Sequence, residues 1–189
     1  MKYQHGLVMG GTGMLSAAAV ALARQSTQLT LVARTDLSLQ RLAAQVARPE
    51  LVSYQLRLDW SNRALFIDGI HQHLAQVGMP DVMLCWLHED DCLLDLALGI
   101  PPLPAPMRVI HVRSSAISAP GQRVDPVKAY CVARPDLAYQ QVVLGFKLSG
   151  DTSRWLTHQE ICQGVLTALD HPDKACLTVG VTTPWERRP

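Results

Sequence analysis

The stretch that most restricts this chain is GLVMGGTGMLSAAAVALARQ, residues 6–25, followed closely by LTLVA, residues 29–33. Gly6-Leu7-Val8-Met9 is short, apolar and followed by glycines, so it predicts a buried strand. Residues 13–25 are alanine-rich and built from helix formers, which predicts a helix. Residues 29–33 predict a second buried strand. A strand, a glycine turn, a helix and a strand in that order fit a parallel sheet covered on both faces.

The alternation continues. Leu39, Leu42, Ala43 and Val46 form one stripe of a helix over 37–48, stopped by Pro49. Residues 52–58 predict a third strand. An amphipathic helix follows over 63–77, with Leu65, Phe66, Ile70, Leu74 and Val77 at helical spacing. Residues 82–87 predict a fourth strand, 90–98 a helix and 107–112 a fifth strand. Right-handed crossovers then give an α/β, doubly wound, mainly parallel sheet of Rossmann type with about six to seven strands. At 189 residues, one domain over 1–189 is the economical reading.

Beyond the fifth strand the pattern loosens, and the layout reads as truncated there. Pro120, Gly121, Pro126 and Pro135 predict mostly loop over 114–137, with at most one helical turn. Residues 140–148 predict a sixth strand and 175–181 a last one. Between them, Thr157-His158-Gln159-Glu160 fits a capping box opening a helix through Leu169.

Composition limits the partners. Hydrophobic residues make up 48% and charged residues 17%, which suits a packed core and excludes disorder. The net charge of +1 gives no reason to expect nucleic acid or a membrane surface as partner. Five cysteines, with no C-x-x-C pair, argue against a disulfide framework and for a reducing, cytoplasmic setting. Met1-Lys2 and the apolar run to Ala21-Leu22-Ala23 imitate a signal peptide, but Gly10, Gly11 and Gly13 interrupt it. Cys85, His88 and Cys92 lack a fourth ligand, so no metal is expected. The basic tail, residues 186–189, reads as a solvated terminus.

The turn itself, Gly10-Gly11-Thr12-Gly13-Met14-Leu15-Ser16, is G-x-G-x-x-G or G-x-x-G-x-x-G with the last glycine replaced by Ser16. Early glycines permit a tight turn and let a pyrophosphate approach the backbone. The helix start then offers unpaired N–H groups and partial positive charge. The last glycine serves close helix–strand packing instead, so Ser16 weakens the pattern without removing the part that binds. Residues 10–15 are therefore the expected cofactor cradle.

These residues resemble short-chain dehydrogenases/reductases, especially the atypical members related to extended forms and to nucleotide-binding regulators. Beside the turn, Arg34 follows the second strand. Asp59, with Trp60 next to it in LRLDWSN, falls where that family's aspartate borders the adenine. VIHVRSSA resembles the fifth strand and its serine end, and SRWLTHQEICQGVLTAL the late helix. The resemblance implies a nicotinamide cofactor. An NAD site wants a carboxylate after the second strand, whereas Arg34 suits a 2′-phosphate by charge-assisted bonds and stacking. NADP(H) is the expected cofactor. Asp36 swinging in to a ribose keeps NAD as the lesser alternative, and Arg34 as a solvated loop cation is the bland one.

The family's catalytic unit is a serine after the fifth strand plus Tyr-x-x-x-Lys on the next helix. None of Tyr3, Tyr54, Tyr130 and Tyr139 has a lysine four residues on. The remaining candidates are Ser114, His88 and Tyr130, the last two as a replacement acid. Arg154, ahead of the capped helix, is a candidate grip for an anionic substrate. Two readings stand: a hydride-transferring oxidoreductase acting on a small carbonyl or imine by a non-standard acid, and a catalytically inactive NADP(H)-binding sensor. A homodimer is expected because the late strands leave a sheet edge to cover.

Overall fold

The computed structural model describes residues 1–87, 90–121 and 124–189. The chain alternates β1 (Tyr3–Met9), α1 (Ser16–Gln25), β2 (Ser26–Ala33), α2 (Asp36–Val46), β3 (Val52–Arg57), α3 (Arg63–Val77), β4 (Val82–Cys85), α4 (Asp90–Leu98) and β5 (Met107–Ser114). A short 3-10 turn, Ser115–Ser118, leads toward α5 (Pro126–Val132). Then come β6 (Leu137–Leu144), β7 (Phe146–Ser149), β8 (Thr152–Trp155), α6 (His158–Asp170) and β9 (Cys176–Val179).

Seven strands form one parallel sheet in the order β3-β2-β1-β4-β5-β6-β9, and β7 pairs with β8 in a separate antiparallel hairpin. This is a Rossmann-like α/β fold. The order reverses between β1 and β4, the point at which open sheets leave a crevice for ligands. Strand side chains alternate between the faces, so each face has its own core. Val8, Leu31, Leu84, Ile110 and Val112 meet α1, α2 and α6 on one side. Leu7, Met9, Met83, Val109 and Tyr139 meet α3, α4 and α5 on the other. Each fully buried leucine or valine contributes roughly 1.5–3 kcal/mol.

Three local features explain the geometry near the site. Helix α1 turns Ala18, Ala19, Leu22 and Ala23 to the sheet, and these small side chains let it sit low. Ser16, half-buried, is not on that face. The close approach falls at Gly11 instead, where a Cβ would stand 3.4 Å from Ala19 Cβ and 2.3 Å from Val8 Cγ1. Helix α6 opens with the expected capping box: Glu160 N donates to Thr157 Oγ1 at 3.2 Å and Thr157 N to Glu160 Oε2 at 2.8 Å. At its other end the buried Arg108 donates to Leu169 O at 2.9 Å, so a β5 cation answers the carbonyls of a helix C-terminus.

The sequence reading needs correction after β5. The shortening there falls on a helix and not on the sheet: α5 is a real helix of only 7 residues, capped by Asp125, whose carboxylate accepts from Lys128 N at 3.2 Å. The sixth strand begins at Leu137 and stops at Leu144, because Gly145 passes so close that a Cβ would lie 2.1 Å from Val181 O. Residues 146–155 form the hairpin that the partial alternation concealed. The tail is largely exposed, as expected, but its two arginines are tied back: Arg187 Nη2 donates to Thr152 O at 3.4 Å and Arg188 Nε to Ser115 Oγ at 2.9 Å. Among the described residues no helix is long and apolar enough to cross a membrane.

Candidate functional site

The turn after β1 is shaped from two sides. Gly10 has φ +78°, and a Cβ there would lie 2.1 Å from Trp86 O. Backbone bonds tie the same place together: Gly10 N donates to Val32 O at 3.2 Å and Trp86 N to Met9 O at 2.9 Å. Thus β1, β2 and β4 end around one glycine. Gly13 differs, because a Cβ on it would meet nothing within 4 Å. Ser16 N donates to Gly13 O at 3.0 Å, and α1 begins with no acidic residue in its first turn. An open backbone face beside the N-terminus of a ten-residue helix has the shape and sign that a pyrophosphate requires. The residues present fit a dinucleotide.

At the end of β2, the Arg34 guanidinium carbon lies 4.9 Å over the Trp60 ring. Trp60 is buried and packs edge-to-face on Phe66, so the platform under the cation is part of the core. Asp59 accepts from Ser61 N at 3.0 Å. That bond, a second from the Ser61 side chain and the nearby Arg34 charge hold its carboxyl below the usual range. The N-cap of α3 is Asn62. Asp36 is turned toward Arg57 at 3.3 Å, both exposed.

The other end of the same edge is a cavity of about 200 Å³ lined by Met14, Trp86, Ser114, Ser115, Leu144 and Trp155, among others. Ser114 is exposed at the end of β5. Ser115 is buried, and its Oγ accepts from Arg188 Nε at 2.9 Å. Met14, in the expected cradle, also lines this cavity and links it to the glycine turn.

The structure does not bring Tyr130 to these serines. Its hydroxyl accepts from Arg134 Nη1 at 3.2 Å, and Arg134 also donates to Ile100 O and Pro101 O, ahead of β5. Tyr130 therefore belongs to the edge where β5 begins, whereas Ser114 stands where it ends. The physical reason is that Tyr130 falls late in α5, five residues beyond the Asp125 cap that pairs with Arg113 near the end of β5. His88 lies outside the described residues. Arg154 pairs with both carboxylate oxygens of Glu160, at 2.8 and 3.0 Å, and so supports the α6 cap.

Sequence reasoning missed the polar groups buried on the α5 face. Arg113 and Asp125 pair at 2.6 Å, and Gln141 Nε2 donates to Asp125 at 3.1 Å. Nearby, His111 Nδ1 shares a hydrogen bond of 2.9 Å with the Tyr139 hydroxyl. Burial, helped by the Arg113 charge, pushes His111 down to about 3. Burial, helped by the Asp125 charge, pushes Tyr139 above its ordinary range. Arg113, Asp125, Lys128 and Gln141 line a second cavity of about 630 Å³ on this face. Polar residues at alternate positions of β5 were the one available signal.

No protein-family model matches the chain, and no curated protein matches it in sequence. Solved structures match it in fold. A short-chain dehydrogenase from Sphingobium yanoikuyae in complex with NADPH aligns with a TM-score of 0.71 at 14% identity, over 97% of this chain and 91% of that one. The bulky-bulky ketone specific alcohol dehydrogenase from Comamonas testosteroni aligns at 0.69 and 13%, over 98% and 90%. An NAD+-bound xylitol dehydrogenase aligns at 0.63 and 12%, over 93% and 97%. At these identities the likeness is one of fold.

Proposed function

We propose that this chain, which has the fold of short-chain dehydrogenases, is an NADP(H)-dependent oxidoreductase acting on a small carbonyl or imine. The observation that carries the reading is one continuous edge: Met14 belongs to the glycine turn and also lines the cavity of Ser114 and Ser115. When bound, the nicotinamide supplies or accepts the hydride. Gly11, Thr12, Gly13, Met14 and Leu15 would hold the pyrophosphate through backbone N–H groups and the start of α1, while Gly10, whose own N–H is bonded to Val32 O, shapes the turn. Arg34, backed by Trp60, would hold the 2′-phosphate, with Asp59 beside the adenine. NAD is disfavoured because Asp36, the carboxylate nearest the end of β2 in sequence, is paired with Arg57.

Ser114 and Ser115 would orient the substrate oxygen. The Ser115 Oγ accepts from Arg188, which leaves its own hydrogen free to donate into the cavity. That supplies a hydrogen-bond donor where Tyr-x-x-x-Lys is missing, with His88 as the other candidate acid.

The test is a thermal-shift titration with NADPH, NADP+, NADH and NAD+. A ligand that binds the native state raises the melting temperature with concentration. The phosphorylated pair is expected to stabilise the protein, and Arg34→Ala to abolish that preference. No shift from any of the four overturns the reading. Consumption of NADPH with a carbonyl panel then separates an enzyme from a binding protein.

A further inference from the structure

We propose that Arg188 is the recognition point for a carboxylate on the small carbonyl substrate. The word substrate rests on the oxidoreductase reading above, while the anion site rests on geometry alone.

Chain termini usually fray unless something ties them down. Here two consecutive arginines are tied in different ways. Arg187 Nη2 donates to Gly150 O and Thr152 O, so it is satisfied by the turn of the β7–β8 hairpin. Arg188 uses only Nε, in its bond to the buried Ser115. Its guanidinium carbon lies 4.7 Å over the Trp155 ring and 5.1 Å over the Trp185 ring. Its two terminal nitrogens make no hydrogen bond or ion pair among the described residues.

That arrangement selects a partner. Cation–π contact with two indole rings holds the guanidinium in place. What stays open is the edge bearing the terminal nitrogens, a planar fork that matches a carboxylate in bidentate fashion. A single cation suits a single negative charge better than a phosphate dianion. Arg188 also touches two walls of the 200 Å³ cavity, Ser115 and Trp155, so an anion gripped there stands at the cavity's mouth. Its reach is short, which favours a small molecule whose carbonyl lies next to the carboxylate.

The experiment titrates the full chain with pyruvate, acetate and oxalate, and separately with inorganic phosphate, following tryptophan fluorescence with and without NADPH. Trp155 and Trp185 report on the guanidinium between them. Saturable binding of at least one carboxylate is expected. Its Kd should rise at least tenfold in Arg188→Ala, since a charge-assisted pair is lost. Arg188→Lys, which keeps the charge and loses the fork, should fall between. Arg188 is exposed and makes a single hydrogen bond, so its variants should keep the NADPH affinity and lower the melting temperature by only about 2–4 °C. Equal carboxylate affinity in Arg188→Ala, or no carboxylate binding to the parent protein, overturns the proposal. Tighter binding of phosphate overturns the carboxylate assignment. Arg188-dependent carboxylate binding without any NADPH binding supports the anion site and overturns the oxidoreductase reading.

Discussion

After β1 the chain turns on Gly10, Gly11 and Gly13; after β5 it turns on buried charge. Both segments stand at the same edge of one sheet. The first is shaped by backbone: a positive φ at Gly10, a Val8 methyl under Gly11, open space at Gly13. The second is shaped by side chains from distant parts of the chain, with Asp125 and Gln141 on Arg113 and Arg188 on Ser115. Ser16 leaves the turn open because it lies off the packed face of α1 and the close approach falls at Gly11. Side-chain-shaped sites fail when one partner goes. The difference predicts where substitutions will hurt stability and where they will hurt only binding.

The largest effect should come from Arg113→Ala. It leaves the Asp125 carboxylate largely buried without its cation, which costs about 3–5 kcal/mol. Urea unfolding would show it as a lower midpoint, and a loss below 1 kcal/mol would break the claim that charge holds this half. Gly10→Ala comes next. It forces a Cβ into a left-handed conformation against Trp86 O, for a loss of about 2–4 kcal/mol.

Acid should weaken the protein chiefly through His111 in the second half. Burial lowers His111 to about 3, so below pH 6.5 the unfolded chain binds a proton that the native state refuses. This stability is fully present above pH 6.5 and falls away as the pH drops toward 3. By pH 5 the loss is about 2 kcal/mol at ~1.4 kcal/mol per pH unit. His5 and His73, both lowered chiefly by burial and bridged by Thr30, add in the same direction. Melting temperature against pH, compared between the parent and His111→Asn, should show a flatter acid limb in the variant. Thr157→Ala, which removes the capping box of α6, should lower stability by only about 1 kcal/mol.

The same contrast governs what the sequence discloses. The order of strands and helices through β5 follows from apolar periodicity, and α3 and α4 have the bounds that periodicity predicts. The glycine turn is legible because its logic is contained in seven consecutive residues. Arg34 and Trp60 come from different loops, yet each sits at a strand end whose place the fold predetermines. The β7–β8 hairpin is not legible, since its four-residue strands carry too little alternation to outweigh a continuous sixth strand. Nor is the Ser115–Arg188 pair, which joins positions 73 residues apart. Nor is the place of Tyr130, whose hydroxyl meets Arg134, because a position on a short helix depends on which way that helix runs across the sheet.

Gly13→Ala tests the central claim most directly. Nothing lies within 4 Å of the added methyl, so the fold should keep its stability to within about 0.5 kcal/mol. If the open face at Gly13 is where a pyrophosphate meets the backbone, the same methyl should weaken NADPH binding at least tenfold in isothermal titration. Undiminished NADPH affinity in this variant would contradict the account.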